Sequence, residues 1–284
     1  GTDGGSPITG YVVTPYAGAV AGTPVALPST ARSTTLTGLA VNEVVDLLLA
    51  VALAVLATRL GMVNRDMVVH TWVAPVRDFF DRYGASTALW LLALIGFYRV
   101  SDIVAGVISN VFYQDMGFSK AEIATAVKTF GVLVSIAGGF LGGLLAQRYA
   151  VLRVLMLGAV LSSATNLVFV QLAHVGHDLV WMYVAITADN LASGLAGAAF
   201  VAFLSSLTNV SFTAVQYAIF SSLMTLLPKV LGGYSGTMVD ALGYPEFFAL
   251  TAAMGIPVLY LILRVQRQLA ALPAQGPDHP PGPD

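Results

Sequence analysis

Seven long runs of apolar residues constrain this chain more than any other feature. They cover residues 39–60, 86–112, 121–146, 151–172, 179–205, 213–239 and 247–263. A helix rises about 1.5 Å per residue, so each run is long enough to cross a hydrocarbon core about 30 Å thick. Only 10% of the residues are charged and 57% are hydrophobic, which is too few charges to solvate a soluble domain. The sequence therefore predicts an all-α membrane protein.

The spacing of these runs divides the chain into five regions. Residues 1–38 are polar and Gly/Thr/Pro/Ala-rich, without the basic and apolar regions of a signal peptide, so we expect the chain to begin inside a longer protein. Residues 39–60 form one transmembrane helix, and residues 86–265 form a set of six. Between them, residues 61–85 mix charged with aromatic side chains, which is typical of an amphipathic helix at a membrane surface. The Pro-rich residues 266–284 are expected to be disordered.

The placement of lysine and arginine predicts the orientation in the membrane. Basic residues beside membrane spans are held on the cytoplasmic side. The connections after the first, third and last runs contain Arg59, Arg65, Arg77, Arg82, Arg148, Arg153, Arg264 and Arg267. The connections that would then face outward contain a single lysine or arginine, Lys120. The linker at residues 61–85 and the tail at 266–284 are therefore predicted to be cytoplasmic, and residues 1–38 extracytoplasmic.

Several kinds of partner and chemistry lack residues to support them. The net charge is −2, without the clustered basic residues that a nucleic-acid partner would require. There is no cysteine, which excludes disulfides and thiolate metal sites. His174, His177 and Asp178 share one outward connection and are poor evidence for a metal site. Zinc-protease, serine-hydrolase and phosphate-loop motifs are missing, so we expect neither an enzyme nor a cofactor.

Several motifs resemble one transporter family. The stretch GGLLAQRYAVLR, at residues 142–153, resembles the cytoplasmic loop motif that major facilitators carry in each half. The matching positions are Gly143, Gln147, Arg148 and Arg153, with Gln147 in place of the usual acid. YRVSD at residues 98–102, GFSKAEIATAVKTFG at 117–131 and the stretch from ADNLASG to IFSS at 188–222 are similar to AmpG-type muropeptide permeases of that superfamily. The resemblance extends over residues 72–265.

The resemblance implies a fold and a function. Six spans with cytoplasmic ends, after a cytoplasmic linker and one inbound span, would be a six-helix half-bundle, the C-terminal half of a major facilitator. Its expected activity is proton-coupled import of anhydromuropeptides, an anionic glycopeptide solute, across the bacterial inner membrane. The expected partners are membrane lipid, protons, the solute and an N-terminal half. Two alternatives stay open: a carrier for another anionic or acyl-carrier solute, and a non-transporting membrane scaffold or receptor.

Charged residues near the centres of the apolar runs are the candidate site. Each charge at mid-membrane costs at least about 2.5 to 3.5 kcal/mol on insertion scales, so it requires a partner or a function. These residues are Arg99, Asp102, Lys128, Asp189 and Lys229. Three cations against two acids favour an anionic solute, so we predict substrate binding by the three cations and proton coupling by the two acids. The alternative is structural pairing, of Arg99 with Asp102 at i, i+3 and of Lys128 with Asp189.

Two uncharged polar residues and a set of glycines complete the prediction. Asn190 and Gln216 are candidates for substrate binding, although both are equally suited to hydrogen bonding between helices. Glycines at helical spacing predict close helix packing, namely Gly138, Gly139, Gly142, Gly143, Gly194, Gly197, Gly232 and Gly236. Pro228 removes one helical hydrogen bond beside Lys229 and predicts a kink there.

Overall fold

The computed structural model describes residues 69–271 without a gap, together with residues 10–14, 16–17, 20–21, 24–28, 49, 52–53, 56 and 66. Most of the predicted span at 39–60 therefore lies outside the described residues. The four described positions within it, Leu49, Ala52, Leu53 and Leu56, are helical. Residues 272–284 of the predicted tail also lie outside them.

Near the start of the chain, four short strands form two antiparallel ladders. β1 (Gly10–Val13) pairs with β4 (Val25–Pro28), and β2 (Tyr16–Ala17) pairs with β3 (Val20–Ala21). The composition of residues 1–38 did not predict them. The ladders are at most four residues long, too short for an alternating pattern to stand out among the glycines and prolines.

Helices make up nearly all of residues 69–271. They are α1 (Ala74–Phe97), α2 (Val100–Asp115), α3 (Lys120–Ile123), α4 (Gly131–Arg148), α5 (Val151–Val175), α6 (Leu179–Leu207), α7 (Thr213–Gly232), α8 (Ser235–Leu242), α9 (Tyr244–Ala253) and α10 (Gly255–Ala270). π-Helical turns at Val69–Val73 and Ala124–Phe130 extend α1 and join α3 to α4, and a 3₁₀ turn, Val210–Phe212, precedes α7.

In the described part of the chain, six helical spans are long and apolar enough to cross a membrane. They are α1 with α2, α3 with α4, α5, α6, α7 with α8, and α9 with α10. They coincide with the six predicted spans of residues 86–265. The last helix continues to Ala270, beyond the predicted boundary at residue 265, so residues 266–270 of the tail predicted to be disordered are helical.

The predicted linker at residues 61–85 is helical from Val69 onward and is separated from the first span by one glycine. Gly84 has φ 72° and ψ 153°, a conformation open almost only to glycine. Before this break, Phe79 is buried and packs against Phe220 of α7, with ring centroids 5.1 Å apart. The linker helix is thereby held against the bundle, while Trp72 remains exposed.

Several spans are interrupted along their length. Tyr98 and Arg99 separate α1 from α2, the π-helix Ala124–Phe130 lies within the second span, and Gly233 and Tyr234 separate α7 from α8. The helix runs through Pro228 and breaks only at Gly233. Such interruptions are common at binding sites of transporters, where unwound backbone lines a cavity.

Helices α4 and α6 make the closest packing in the bundle, through glycines. A Cβ atom added to Gly142 would lie 2.5 Å from the carbonyl oxygen of Leu195. Gly138 and Gly194 face the backbone of Leu191 and of Ser135 even more closely. The predicted small-residue packing is confirmed for these positions. In contrast, Gly143 and Gly197 face open space.

Replacing Gly194 by alanine should therefore destabilise the bundle. The added methyl group would overlap the backbone of α4, and overpacking of this kind costs about 1 to 3 kcal/mol. Gly197→Ala, three residues along the same helix, is the matched control, because nothing lies within 4 Å of its added carbon. Thermal unfolding in detergent should show a lower Tm for Gly194→Ala and an unchanged or higher Tm for Gly197→Ala. Equal Tm values would contradict the packing assignment.

Candidate functional site

A charged cluster links the first span to α6. The guanidinium of Arg99 forms an ion pair with Asp102, and its Nε donates to Asp102 Oδ2 at 3.1 Å. Arg99 Nη2 also donates to the hydroxyl of Ser193 on α6 at 3.2 Å, and that hydroxyl donates to Asp102 Oδ2 at 3.4 Å. The i, i+3 pair that the sequence offered as the structural alternative for these two residues therefore forms. Ser193 was not predicted as a site residue, because a single serine among apolar residues does not by itself indicate a functional position.

Asp189 joins this cluster from α6. Its carboxylate interacts electrostatically with both Arg99 and Asp102. It also interacts electrostatically with the hydroxyl of Tyr113, a buried residue near the C-terminal end of α2. Two acids on different helices thus interact with one arginine: Asp102 forms an ion pair with it, whereas Asp189 interacts with it electrostatically without an ion pair among the described residues. The alternative pairing of Lys128 with Asp189 does not form between these two described residues.

The break that carries Arg99 is fixed by its neighbour. Tyr98 is buried, donates its hydroxyl to the carbonyl of Leu155 at 3.1 Å and stacks on Phe200 with ring centroids 4.5 Å apart. Gly158 on α5 leaves room for the hydroxyl, since a Cβ there would lie 2.7 Å from it. The backbone at Arg99 is therefore held between α5 and α6, and this restricts the direction in which the Arg99 side chain points.

Both predicted lysines are exposed on the half-bundle. Lys128 lies in the π-helix Ala124–Phe130, and Lys229 lies in the last turn of α7. Leu227 packs against Gly96 in α1, so Lys229 is at nearly the same depth as Arg99. Gly131 packs against Asn190, so Lys128 is within about a turn of Asp189 in depth. The five charges therefore occupy one layer of the bundle.

Asn190 belongs to a helix contact. Its Nδ2 donates to the carbonyl of Ile186 at 2.9 Å within α6 and lies close to Gly131 in the second span. Its neighbour Asp189 faces the charged cluster.

A groove runs along one face of α6. It has a volume of about 600 Å³ and is lined by Leu179, Val180, Tyr183, Val184, Thr187 and Ala188. These residues run from the first turn of α6 to the position before Asp189. The lining is mainly apolar, so the groove would accept an apolar body more readily than a free ion.

Gln216 lies in a different place from the other predicted site residues. Its side chain is fully buried and bonds two linker groups, the carbonyl of Pro75 at 2.8 Å and Asp78 Oδ2 at 2.9 Å. Its oxygen accepts hydrogen bonds from Arg82 Nη2 and from the backbone N–H of Asn209. All of its hydrogen-bonding capacity is used between helices.

This linker network is remote from the charged cluster. Arg82 also donates to the carbonyl of Leu207, and Leu207 is fourteen residues beyond Ser193 on α6. That separation is about 21 Å along a helix. The structure therefore does not bring Gln216 together with Arg99.

The loop-motif residues lie where the second span meets α5. Arg148 ends α4, only Tyr149 and Ala150 intervene, and α5 begins at Val151. Gln147, Arg148 and Arg153 are exposed, and Gly143 faces open space. No group of three potential metal ligands occurs among residues that the structure describes. His177 instead approaches Glu122, with 3.6 Å between Nε2 and Oε2.

These features define a class. Six apolar spans with one layer of charged residues, two of them packed together through glycines, make the chain a multi-pass helical membrane protein with the organisation of a transporter half. Residues 79–281, well over half of the chain, match the Major Facilitator Superfamily. The chain belongs to that superfamily and, with the relatives that follow, to the proteins of the bacterial inner membrane.

Curated relatives match over the same part of the chain. The chain is 30% identical over 205 residues to the putative transporter AmpG 4 of Rickettsia conorii, covering 72% of this chain and 49% of that protein. It is 35% identical over 199 residues to the anhydromuropeptide permease of Escherichia coli K12, covering 69% of this chain and 40% of the permease. The chain thus spans less than half the length of these two relatives.

Replacing Gln216 by leucine should destabilise the attachment of the linker helix. The change removes four hydrogen bonds and leaves Asp78 and Arg82 short of a partner in a half-buried site, at a cost of about 1 to 3 kcal/mol. Gln266→Leu, on an exposed position of α10, is the control. We expect a lower Tm and faster proteolysis between the linker and α1 for Gln216→Leu only. Wild-type behaviour of that variant would show that the network contributes little.

Proposed function

We propose that this chain is half of a proton-coupled secondary transporter that imports anhydromuropeptides across the bacterial inner membrane. The observation that carries the proposal is the charged cluster of Arg99, Asp102 and Asp189, contributed by two helices within one layer of the bundle. Membership of the major facilitators and the name of the permease from Escherichia coli support the class of activity and the solute. The chain spans less than half the length of those two relatives, so the proposal includes an N-terminal half that would complete the transporter.

The balance of charge supports an anionic solute. Arg99 is already neutralised by Asp102, whereas Lys128 and Lys229 are exposed and form no ion pair within residues 69–271. An ammonium group at this depth is too costly to face lipid, so both lysines should face a watery cavity or the other half of the protein. Peptide carboxylates of a muropeptide would complement them, while the apolar groove along α6 suits less polar parts of the solute.

Proton coupling is assigned to Asp102 and Asp189. Two carboxylates lie within electrostatic range of one guanidinium, and only Asp102 forms an ion pair with it, so their combined charge is not fully compensated. Protonation of either acid relieves their mutual repulsion, and arrival of an anionic solute changes the field at both. Arg99 lies at a helix break, where a small rotation of α2 against α1 would alter its distance from Asp189. Solute binding and proton binding would thereby influence each other.

Uptake by reconstituted protein tests this function. Liposomes containing the full-length parent protein should accumulate labelled anhydromuropeptide when an inward proton gradient is imposed. Liposomes containing only residues 1–284 should not, because facilitator sites form between two halves. If liposomes with the parent protein take up no more label than empty liposomes, anhydromuropeptide is rejected as the solute. Accumulation of a different anionic or acyl-carrier solute would favour the second candidate, and binding without any transport would favour a receptor.

Single substitutions in the parent protein separate the two proposed roles. Lys128→Met should weaken solute affinity about tenfold, with normal insertion in the membrane, since it removes one charge-assisted contact. Asp102→Asn and Asp189→Asn should make uptake independent of the proton gradient, because an amide cannot bind and release the proton. Asp81→Asn, an exposed linker residue, is the control. Unchanged affinity and pH dependence in all three site variants would identify the charges as structural pairs.

A further inference from the structure

On the outside of the bundle, Arg264 is a cation without an anionic partner among residues 69–271. Its guanidinium carbon lies 5.6 Å from the centroid of the Trp90 ring, and its Nε is buried without a hydrogen-bond partner. It forms neither a hydrogen bond nor an ion pair within residues 69–271. Nε is the only buried nitrogen of this guanidinium, so its remaining donors can reach an acceptor outside the bundle.

The surroundings of Arg264 are those of a surface that faces lipid. On α10, Ile256, Tyr260 and Leu263 are 66%, 58% and 46% exposed, and their helical spacing gives one apolar stripe. Arg267 continues this stripe at its end and is also exposed. Tyr260 lies edge-on to Trp90, with centroids 6.4 Å apart, so the two rings form one wall beside Arg264.

The depth of this surface corresponds to a lipid headgroup. Arg264 is six residues before the end of α10 at Ala270, which is about 9 Å along the helix. Trp90 is six residues after the break at Gly84, at a similar distance from the same end of the bundle. Arginine placement predicts that this end is cytoplasmic. Tryptophan and tyrosine at such a level are typical of the membrane interface.

We propose that Trp90, Tyr260, Arg264 and Arg267 bind the phosphate of an anionic phospholipid from the cytoplasmic leaflet. The two arginines supply the positive charge, and the planar guanidinium of Arg264 matches two phosphate oxygens at once. Pairing with phosphate would neutralise the charge of Arg264, which forms no ion pair within residues 69–271. The acyl chains would lie along the apolar stripe of Ile256, Tyr260 and Leu263, which a free phosphate ion could not use.

Lipid binding to the purified full-length protein tests the site. Native mass spectrometry would count bound phosphatidylglycerol, with phosphatidylcholine as the neutral comparison. We expect wild type to retain phosphatidylglycerol and to prefer it to phosphatidylcholine. Arg264→Gln should lower the affinity at least about fivefold, the factor expected for one basic side chain at a membrane surface. Arg267→Gln, at an exposed position where folding is not at risk, should lower it by a similar factor.

Arg77→Gln is the matched control, because Arg77 is an exposed arginine paired with Asp81 on the linker. It should bind phosphatidylglycerol as wild type does. Phosphatidylglycerol should also raise the Tm of wild type and of Arg77→Gln more than that of Arg264→Gln. The proposal is overturned if Arg264→Gln and Arg267→Gln both bind as wild type, if Arg77→Gln loses as much affinity, or if inorganic phosphate displaces the lipid. A Tm loss in Arg264→Gln that is identical with and without phosphatidylglycerol would indicate a packing role alone.

Discussion

The exclusion of water from the bilayer is the constraint on which this structure depends. A polar group within the spans has to find its partner inside the protein or in a watery cavity, since lipid tails offer none. Arg99 meets this requirement with Asp102 and Ser193, and Gln216 meets it with four hydrogen bonds to the linker and its surroundings. Each network joins separate helices. The need of each polar group for a hydrogen-bond or ion-pair partner therefore also determines which helices are held together, and at which ends.

Close packing sets the geometry of the charged layer. Gly194 contacts the backbone of α4, while its neighbour Ser193 bonds Arg99 in the direction of α2. Successive side chains on a helix point about 100° apart, so the depth at which α6 sits against α4 also places Ser193 and Asp189. Packing and function are thus coupled through adjacent residues of one helix. A glycine without any chemistry of its own determines where the serine hydroxyl and the carboxylate lie.

Irregular backbone occurs where the charged layer lies. Arg99 is at a break between two helices, Lys128 is in a π-helical segment, and Lys229 is one turn before another break. Regular helices would have been the more stable choice in lipid, since every backbone group would then be paired. These three irregularities, at one depth, lower the stability of the helices but help to position the charged side chains. They also provide points at which the helices can bend when the two halves of a facilitator move against each other.

The sequence by itself determined the class, the six spans, the helical linker and the Arg99–Asp102 pair, because long apolar runs and i, i+3 spacing act within one segment. Only the tertiary structure decided which residues meet across helices. Ser193 bonds Arg99 and Asp189 interacts with it electrostatically. Gln216, also a polar residue flanked by apolar ones, lies instead in the linker network, which meets α6 about 21 Å along that helix from Ser193. The physical reason is that helix rotation and depth are set by contacts such as those of Gly138 and Gly194, which involve residues more than fifty positions apart. No pattern within the sequence of one helix specifies which residues of another helix it will contact.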